Sequence, residues 1–248
     1  MDLVLPLVFL PGLALGSFLG VVAARVPLRR SVVRPGSACM RCGSPIRWYD
    51  NVPVVSYLAL RGRCRACGER IPPRDLAIEL GTALLLVGCV LAFGLSLRAA
   101  AAAVACAALV VVTATDLERR VVPNRVVLPA AAAVLALRTA AQPSPVWAIG
   151  ALGAAGFFLA AALAYPGGMG MGDVKLALLV GALLGRATPL GIVLGLLFAL
   201  VPSAVLLVRH GLGARRLAIP LAPFLAAGAV VALFAGHAIL HAQLGAVA

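Results

Sequence analysis

The stretch "GMGMGDVKLALLVGALLG", residues 168–185, decides the fold. Apolar sequence long enough to cross a bilayer lies on both sides of it, yet it carries a carboxylate at Asp173 and an ammonium group at Lys175. Glycine permits backbone conformations closed to other residues, and irregular backbone at membrane depth is tolerated only when it is buried in protein or lines a wet cavity. The stretch therefore predicts a water-accessible cleft in a membrane protein. Glycines alternate just before the aspartate, at Gly168, Gly170 and Gly172.

The composition extends this interpretation to the whole chain. Of its 248 residues, 63% are hydrophobic and only 12% are charged, and the mean hydropathy is +1.08. A water-soluble globule could not hide that much apolar surface in one core. We expect an all-α polytopic membrane protein with about eight transmembrane helices, because a helix of roughly 20 residues spans the hydrocarbon layer. The apolar runs cover approximately 3–24, 76–95, 97–115, 124–141, 146–165, 174–187, 189–208 and 217–239.

The basic residues predict the orientation. If the segment 25–75 is cytoplasmic, all but three of the 21 Lys and Arg residues fall on the cytoplasmic side. Basic residues concentrate in cytoplasmic loops of membrane proteins, so this topology is favoured over its inverse. It places both chain ends outside, and it accounts for the net charge of +13 through membrane lipid and topology, without a nucleic-acid partner. The three exceptions are Arg98, Arg138 and Arg186.

The segment 25–75 also carries a metal-binding pattern. Two Cys-x-x-Cys pairs are separated by 21 residues, and each is followed at once by glycine, in "CMRCG" and "CRACG". Four thiolates at this spacing suit tetrahedral zinc, and a four-cysteine site leaves no open position for substrate, so its role is structural. Disulfides and a redox-active pair are the alternatives, and a reducing cytoplasm disfavours disulfides. The four predicted ligands are Cys39, Cys42, Cys64 and Cys67.

Few carboxylates are available for chemistry, since the chain has only eight acidic residues. Asp116 ends the third apolar run and Asp173 begins the sixth, both at the predicted cytoplasmic edge. Glu118 would point to another side of its helix. Glu79 lies deep enough in the second run to remain an alternative candidate for a catalytic carboxylate. The alternative to a catalytic role is that Asp116 merely extends to water beside the arginines that follow it.

Two aspartates facing one wet cleft can share a proton. One then acts as a base toward water while its protonated partner donates to a peptide carbonyl. The chain contains no HExxH, GxSxG or Walker sequence that would indicate another hydrolytic centre. The residues therefore favour an aspartyl protease.

At this point the chain resembles a known family. "GMGMGDVK" is similar to the GxGD motif of intramembrane aspartyl proteases, and the chain as a whole resembles the type IV prepilin peptidases. The resemblance rests on "GSFLGVVAARVP", "CMRCGSPIRWYDNVPVVSYLALRGRCRACG", "DLERRVVPN", "GMGMGDVKLALLVGALLG" and "IPLAPFLAAGA". It implies Asp116 and Asp173 as catalytic residues and the four cysteines as the family's cysteine tetrad.

The resemblance also implies a reaction and a location. Such enzymes cut the short basic leader of prepilins or pseudopilins after a glycine, at the cytoplasmic face of the bacterial inner membrane, and N-methylate the new amino terminus with S-adenosylmethionine. We expect a first transmembrane helix at 1–24, a cytoplasmic zinc segment at 25–75 and a membrane-embedded peptidase domain at 76–248. Gly20 and Asp75 depart from the family pattern, as does "PLAP", where "PFGP" is more usual.

Three alternatives remain. The chain could be a peptidase without methyltransferase activity. Paired intramembrane carboxylates also serve proton-coupled transporters, although we find no matching halves of the kind that transporters carry. A structural scaffold for pilus assembly would tolerate loss of both aspartates.

Overall fold

The structure is a computed structural model that describes residues 4–165, 169–211 and 219–245. In these ranges every element of regular secondary structure is a helix, and the only β pairing consists of two isolated bridges. The predicted all-α class is confirmed. The helices are α1 (Val4–Arg25), α2 (Val55–Ala59), α3 (Pro73–Phe93), α4 (Leu97–Arg119), α5 (Asn124–Ala141), α6 (Val146–Ala164), α7 (Met171–Leu184), α8 (Thr188–His210) and α9 (Ala222–Gly245).

Six stretches of the described chain are long and apolar enough to cross a membrane. The last of them, Met171–Arg209, has 39 residues and contains both α7 and α8, which a 3₁₀ turn separates. Each of the eight predicted apolar runs contains a helix, although the second, fifth and eighth runs extend a few residues beyond theirs, and the count of eight spans stays a prediction. The six stretches are Val4–Leu28, Pro73–Phe93, Leu97–Arg119, Asn124–Ala141, Val146–Ala164 and Met171–Arg209.

The chain forms two compact units, one up to Leu91 and one from Ala92 onward. In the first unit, glycines let α1 approach α3 closely. A Cβ atom at Gly12 would lie 2.8 Å from the Cα of Ala83, and one at Gly16 would lie 2.6 Å from the Cα of Glu79. Small residues at such crossings are the usual means of close helix packing in membranes. The predicted division at residues 24 and 75 stays a prediction.

The second unit is organised around α7. This helix has only 14 residues, and it contacts α4, α5, α6, α8 and α9. Nine of its residues are buried, among them Leu176, Leu179 and Leu183, each with 0% of its surface exposed. The short predicted sixth run is therefore buried among its neighbours. These neighbours hold the short helix in place, and its first turn carries the half-buried Asp173.

Candidate active site and metal centre

Asp116 lies near the carboxyl-terminal end of α4 and is only 6% exposed. Its Oδ2 accepts a hydrogen bond from the backbone amide of Ala222 at 3.1 Å. Ala222 is the first residue of α9, so its amide is one of the donors that a helix leaves without an intrahelical partner. Asp116 thus acts as a side-chain cap for a helix 106 residues away in the chain. Glu118, two residues on, is exposed.

Asp173 lies in the first turn of α7 and is half-buried. Its carboxyl group accepts a hydrogen bond from the amide of Gly170, the residue that precedes the helix. Neither Gly170 nor Gly172 has a positive φ. Gly172 is instead needed for space, because a Cβ there would lie 2.9 Å from the Cβ of Val122. Gly168, the remaining glycine of the motif, lies outside the described residues.

The fold brings the two aspartates to one place. Helices α4 and α7 contact each other, and Asp116 and Asp173 are close enough for their charges to interact. Each carboxyl group also has a backbone amide as a partner. The arrangement provides two adjacent carboxyls at helix ends, one buried and one half-buried, which suits a pair that shares a proton.

A lysine and an asparagine connect the surroundings of the pair. The Nζ of Lys175 donates a hydrogen bond to the Oδ1 of Asn124 at 2.9 Å, which ties the start of α7 to the start of α5. Sequence reasoning did not assign Asn124 or Ala222 a role. The motifs "VVPN" and "PLAP" contain them, but a backbone amide and a distant asparagine have no spacing signature relative to the aspartates.

The four predicted metal ligands form one cluster. All four sulfurs lie within 4.8 Å of one another, and the sulfurs of Cys39 and Cys67 are 3.8 Å apart. Bonds of about 2.3 Å to a tetrahedral zinc ion place sulfurs at about this separation. The residues present therefore fit zinc.

Two equivalent turns build this cluster. In the first, the amide of Gly43 donates to the carbonyl of Cys39 at 2.9 Å, and in the second, the amide of Gly68 donates to the carbonyl of Cys64 at 2.9 Å. Both glycines have positive φ, 71° and 73°, where a side chain would be strained. Each turn is closed by an antiparallel bridge, Ala38 with Pro45 and Arg63 with Arg70.

The turns direct hydrogen-bond donors at the sulfurs. Hydrogen bonds from Ser44, through its side chain and its backbone, lower the pKa of the Cys42 thiol to about 6. The amides of Cys67 and Ala66 likewise lower the pKa of Cys64. Although the Glu69 amide acts in the opposite direction, burial and the other three sulfurs raise the pKa of Cys67 to about 12. The hydrogen bonds thus favour the thiolate form of Cys42 and Cys64, whereas the neighbouring sulfurs disfavour it at Cys67.

Comparison with known proteins matches both units. Residues 103–246 match the model of the "Type IV leader peptidase family", and residues 10–93 match that of the "Bacterial Peptidase A24 N-terminal domain". The second match ends close to the boundary between the two units at Leu91. No solved structure matches the chain.

Curated relatives cover most of the chain. A protein of Bacillus subtilis (strain 168) is 35% identical over 247 residues, which is 95% of this chain and 96% of the relative. One of Burkholderia pseudomallei (strain 1026b) is 36% identical over 91% of this chain and 83% of its own length. One of Myxococcus xanthus (strain DK1622) is 40% identical over 79% of this chain and 60% of its own. All three are named "Prepilin leader peptidase/N-methyltransferase". The chain is a multi-pass membrane protein that belongs to the type IV leader peptidase family.

Proposed function

We propose that this protein is a membrane-embedded aspartyl peptidase that cleaves the basic leader of type IV prepilins or pseudopilins and methylates the new amino terminus. One observation carries the proposal: the buried carboxyl of Asp116 lies beside that of Asp173, at the ends of two helices that contact each other. The names of the relatives supply the substrate class and the second activity.

The cleavage step uses both aspartates and one water molecule. The ionised carboxylate takes a proton from water as the water oxygen attacks the scissile carbonyl carbon, and the protonated partner gives its proton to the carbonyl oxygen. The tetrahedral diol then collapses. Its hydroxyl returns a proton to the second aspartate, and the first donates its proton to the amide nitrogen as the C–N bond breaks. The pair ends in its starting protonation state.

Methylation and zinc complete the proposal. S-adenosylmethionine would supply a methyl group to the new amine, which loses a proton. Zinc, held by Cys39, Cys42, Cys64 and Cys67, would order the segment between α1 and α3 and take no part in the chemistry, because all four positions are filled by protein.

The proposed orientation places the zinc segment and the aspartates at the cytoplasmic face of the inner membrane. The distribution of basic residues supports it, since all but three of the 21 Lys and Arg residues would then be cytoplasmic. This is the side on which a leader rich in basic residues would be retained.

Cleavage of a prepilin with a basic leader and a glycine at the cut site tests the proposal. We would compare the purified full chain in detergent with the variants Asp116→Asn and Asp173→Asn, and use Glu118→Gln as a matched control, because Glu118 is exposed on the same helix as Asp116. Loss of cleavage in both aspartate variants, with the control active and all proteins folded, is the expected result. Normal cleavage by either aspartate variant would show that the pair is assigned wrongly.

A further inference from the structure

The unit that ends at Leu91 contains its own cavity, of about 250 Å³. Its wall comes from three parts of that unit: the second half of α1, the segment between residues 37 and 60, and the first two turns of α3. The aspartate pair belongs to the other unit, and neither aspartate lines this cavity. Polar groups line much of it, including Ser17, Asn51 and Glu79.

Glu79 is the unusual member of this lining. It lies in α3, within a stretch that can span the membrane, and it is half-buried. Its Oε2 accepts the backbone amide of Val54 at 2.8 Å, and the hydroxyl of Ser17 also hydrogen-bonds its carboxylate. These neutral donors orient the carboxylate but do not balance its charge. Carboxylates at membrane depth are rare and usually serve a function.

Two basic side chains, Arg25 and Arg74, also line the cavity, and each has polar partners of its own. Arg74 pairs with Asp75 at 3.0 Å, and Arg25 donates to the backbone carbonyls of Ser31, Pro35 and Gly36. Ion pairs of the described part of the chain include Arg41 with Glu69, Arg65 with Asp50 and Arg74 with Asp75. The charge of Asp75 also acts on Glu79 and adds to the negative potential there. The groups that act on the Glu79 carboxyl are thus two neutral donors, from Val54 and Ser17, and the neighbouring carboxylate of Asp75.

A glycine of α1 leaves part of the cavity wall open. Gly12 and Gly16 pack against α3, but a Cβ at Gly20 would have no atom within 4 Å. Gly20 lines the cavity. Gly20 therefore leaves open space in the cavity that Glu79 also lines, instead of packing against another helix.

We propose that this cavity binds an organic cation, an ammonium or a sulfonium group, with Glu79 as its counter-charge. The proposal rests on the proposed function, which offers two sources of such a group. One is a basic side chain of the leader peptide, and the other is the sulfonium of the methyl donor. Tyr57 and Met40 in the lining supply apolar surface for the remainder of either ligand.

Direct binding to the purified full chain tests this inference. Isothermal titration would give the affinities of S-adenosylmethionine, of its uncharged thioether product S-adenosylhomocysteine, and of a leader peptide together with a version in which its basic residues are glutamines. Glu79→Gln keeps an oxygen for the Val54 amide and removes only the charge. We expect it to weaken binding of the cation on the order of tenfold or more, and to change binding of its neutral counterpart far less.

A matched pair of glycine variants tests the location. Gly20→Phe would fill the cavity and abolish cation binding. Gly81→Phe is the control, because Gly81 is also a helical glycine with no atom within 4 Å of an added Cβ but does not line the cavity. This control should bind the cation and cleave prepilin like the wild type.

The outcomes separate the two proposals. Charge-selective loss of S-adenosylmethionine binding in Glu79→Gln identifies the methyl donor as the ligand, and charge-selective loss of leader binding identifies the leader. If the wild type cleaves prepilin but neither cation binds, or binding is unchanged in both Glu79→Gln and Gly20→Phe, the cavity proposal is wrong while the peptidase stands. Failure of the wild type to cleave prepilin would count against the proposed function instead.

Discussion

At the scale of the residue, the hydrogen bond between Asp116 and the Ala222 amide is the contact that most constrains the candidate site. A buried carboxyl needs a partner, and this one uses a donor that α9 would otherwise leave unsatisfied. Pro223 follows directly and has no amide hydrogen, while the amide of Phe224 bonds to the Leu221 carbonyl. Ala222 therefore provides the one amide of this first turn that reaches Asp116.

Ala222→Pro removes that donor without removing a side-chain function. Proline is tolerated at the first position of a helix, so α9 should still form. Loss of a hydrogen bond to a charged group costs about 1.5–3 kcal/mol, and if this cost falls on the transition state the cleavage rate drops roughly 10- to 150-fold. The measurement is kcat for prepilin cleavage.

Ala222→Gly is the control for this variant, because it keeps the amide and deletes only a methyl group. It should cleave at close to the wild-type rate. Equal activity of the proline variant and the glycine variant would mean that the amide does not support Asp116.

At the scale of the element, the position of α7 depends on a glycine contact with α6. Gly150 and Gly181 face each other, and a Cβ at Gly150 would lie 2.8 Å from the carbonyl oxygen of Gly181. The backbones of the two helices are therefore in direct contact. Since Asp173 is in the first turn of α7, this crossing also helps to position the carboxyl.

Gly181→Val should destabilise the protein. The added side chain would meet the Gly150 carbonyl, and overpacking of this kind costs typically 1–3 kcal/mol. We expect the Tm in detergent to fall by several degrees. Gly153→Val serves for comparison, since a Cβ at Gly153 on α6 has no atom within 4 Å. A Tm that falls equally in both variants would argue against a specific α6–α7 contact.

The structure of the zinc segment depends on its metal site. Between α1 and α3 its regular structure consists of two short 3₁₀ turns, the five-residue α2 and two isolated bridges, so it has little core of its own. Binding of zinc to such small domains contributes on the order of 10 kcal/mol. The metal, through the four cysteines, would hold the two turns together.

Cys64→Ser should remove the metal. We expect about one zinc per chain in the wild type and almost none in the variant, measured by atomic absorption, together with faster proteolysis between residues 38 and 71. Cys106→Ala, a change at a buried cysteine of α4 outside the cluster, should keep the zinc. Full zinc content in Cys64→Ser would contradict a four-cysteine site.

At the scale of the whole molecule, charge and hydropathy predict a topology. Val121 lies in the exposed connection between α4 and α5, and Gln142 lies in that between α5 and α6. The two connections flank α5, a stretch that can span the membrane. They should therefore face opposite sides.

Cysteine labelling in intact cells measures this orientation. A membrane-impermeant maleimide should label Gln142→Cys from outside and should reach Val121→Cys only after the cells are opened. The unsubstituted chain, labelled in the same way, gives the background from the native cysteines, which should be out of reach in intact cells. The reverse pattern would overturn the proposed orientation.

The sequence by itself determined the helical class and the metal cluster. Both depend on local features of the sequence. The helical class follows from the lengths of the apolar runs, and the metal cluster follows from two Cys-x-x-Cys-Gly turns in which the glycine adopts a positive φ. It also singled out Asp116 and Asp173, because so few carboxylates were available.

Only the tertiary structure decided what these groups contact. The amide of Ala222 is 106 residues from Asp116, Lys175 bonds to Asn124 across 51 residues, and Glu79 faces a cavity whose walls come from three parts of the chain. Such contacts depend on which faces of which helices meet. In a chain that is apolar throughout, hydrophobic periodicity does not distinguish those faces, because lipid-facing and protein-facing surfaces are alike in composition. Close packing at glycines selects the faces instead, and that selection places the carboxyls.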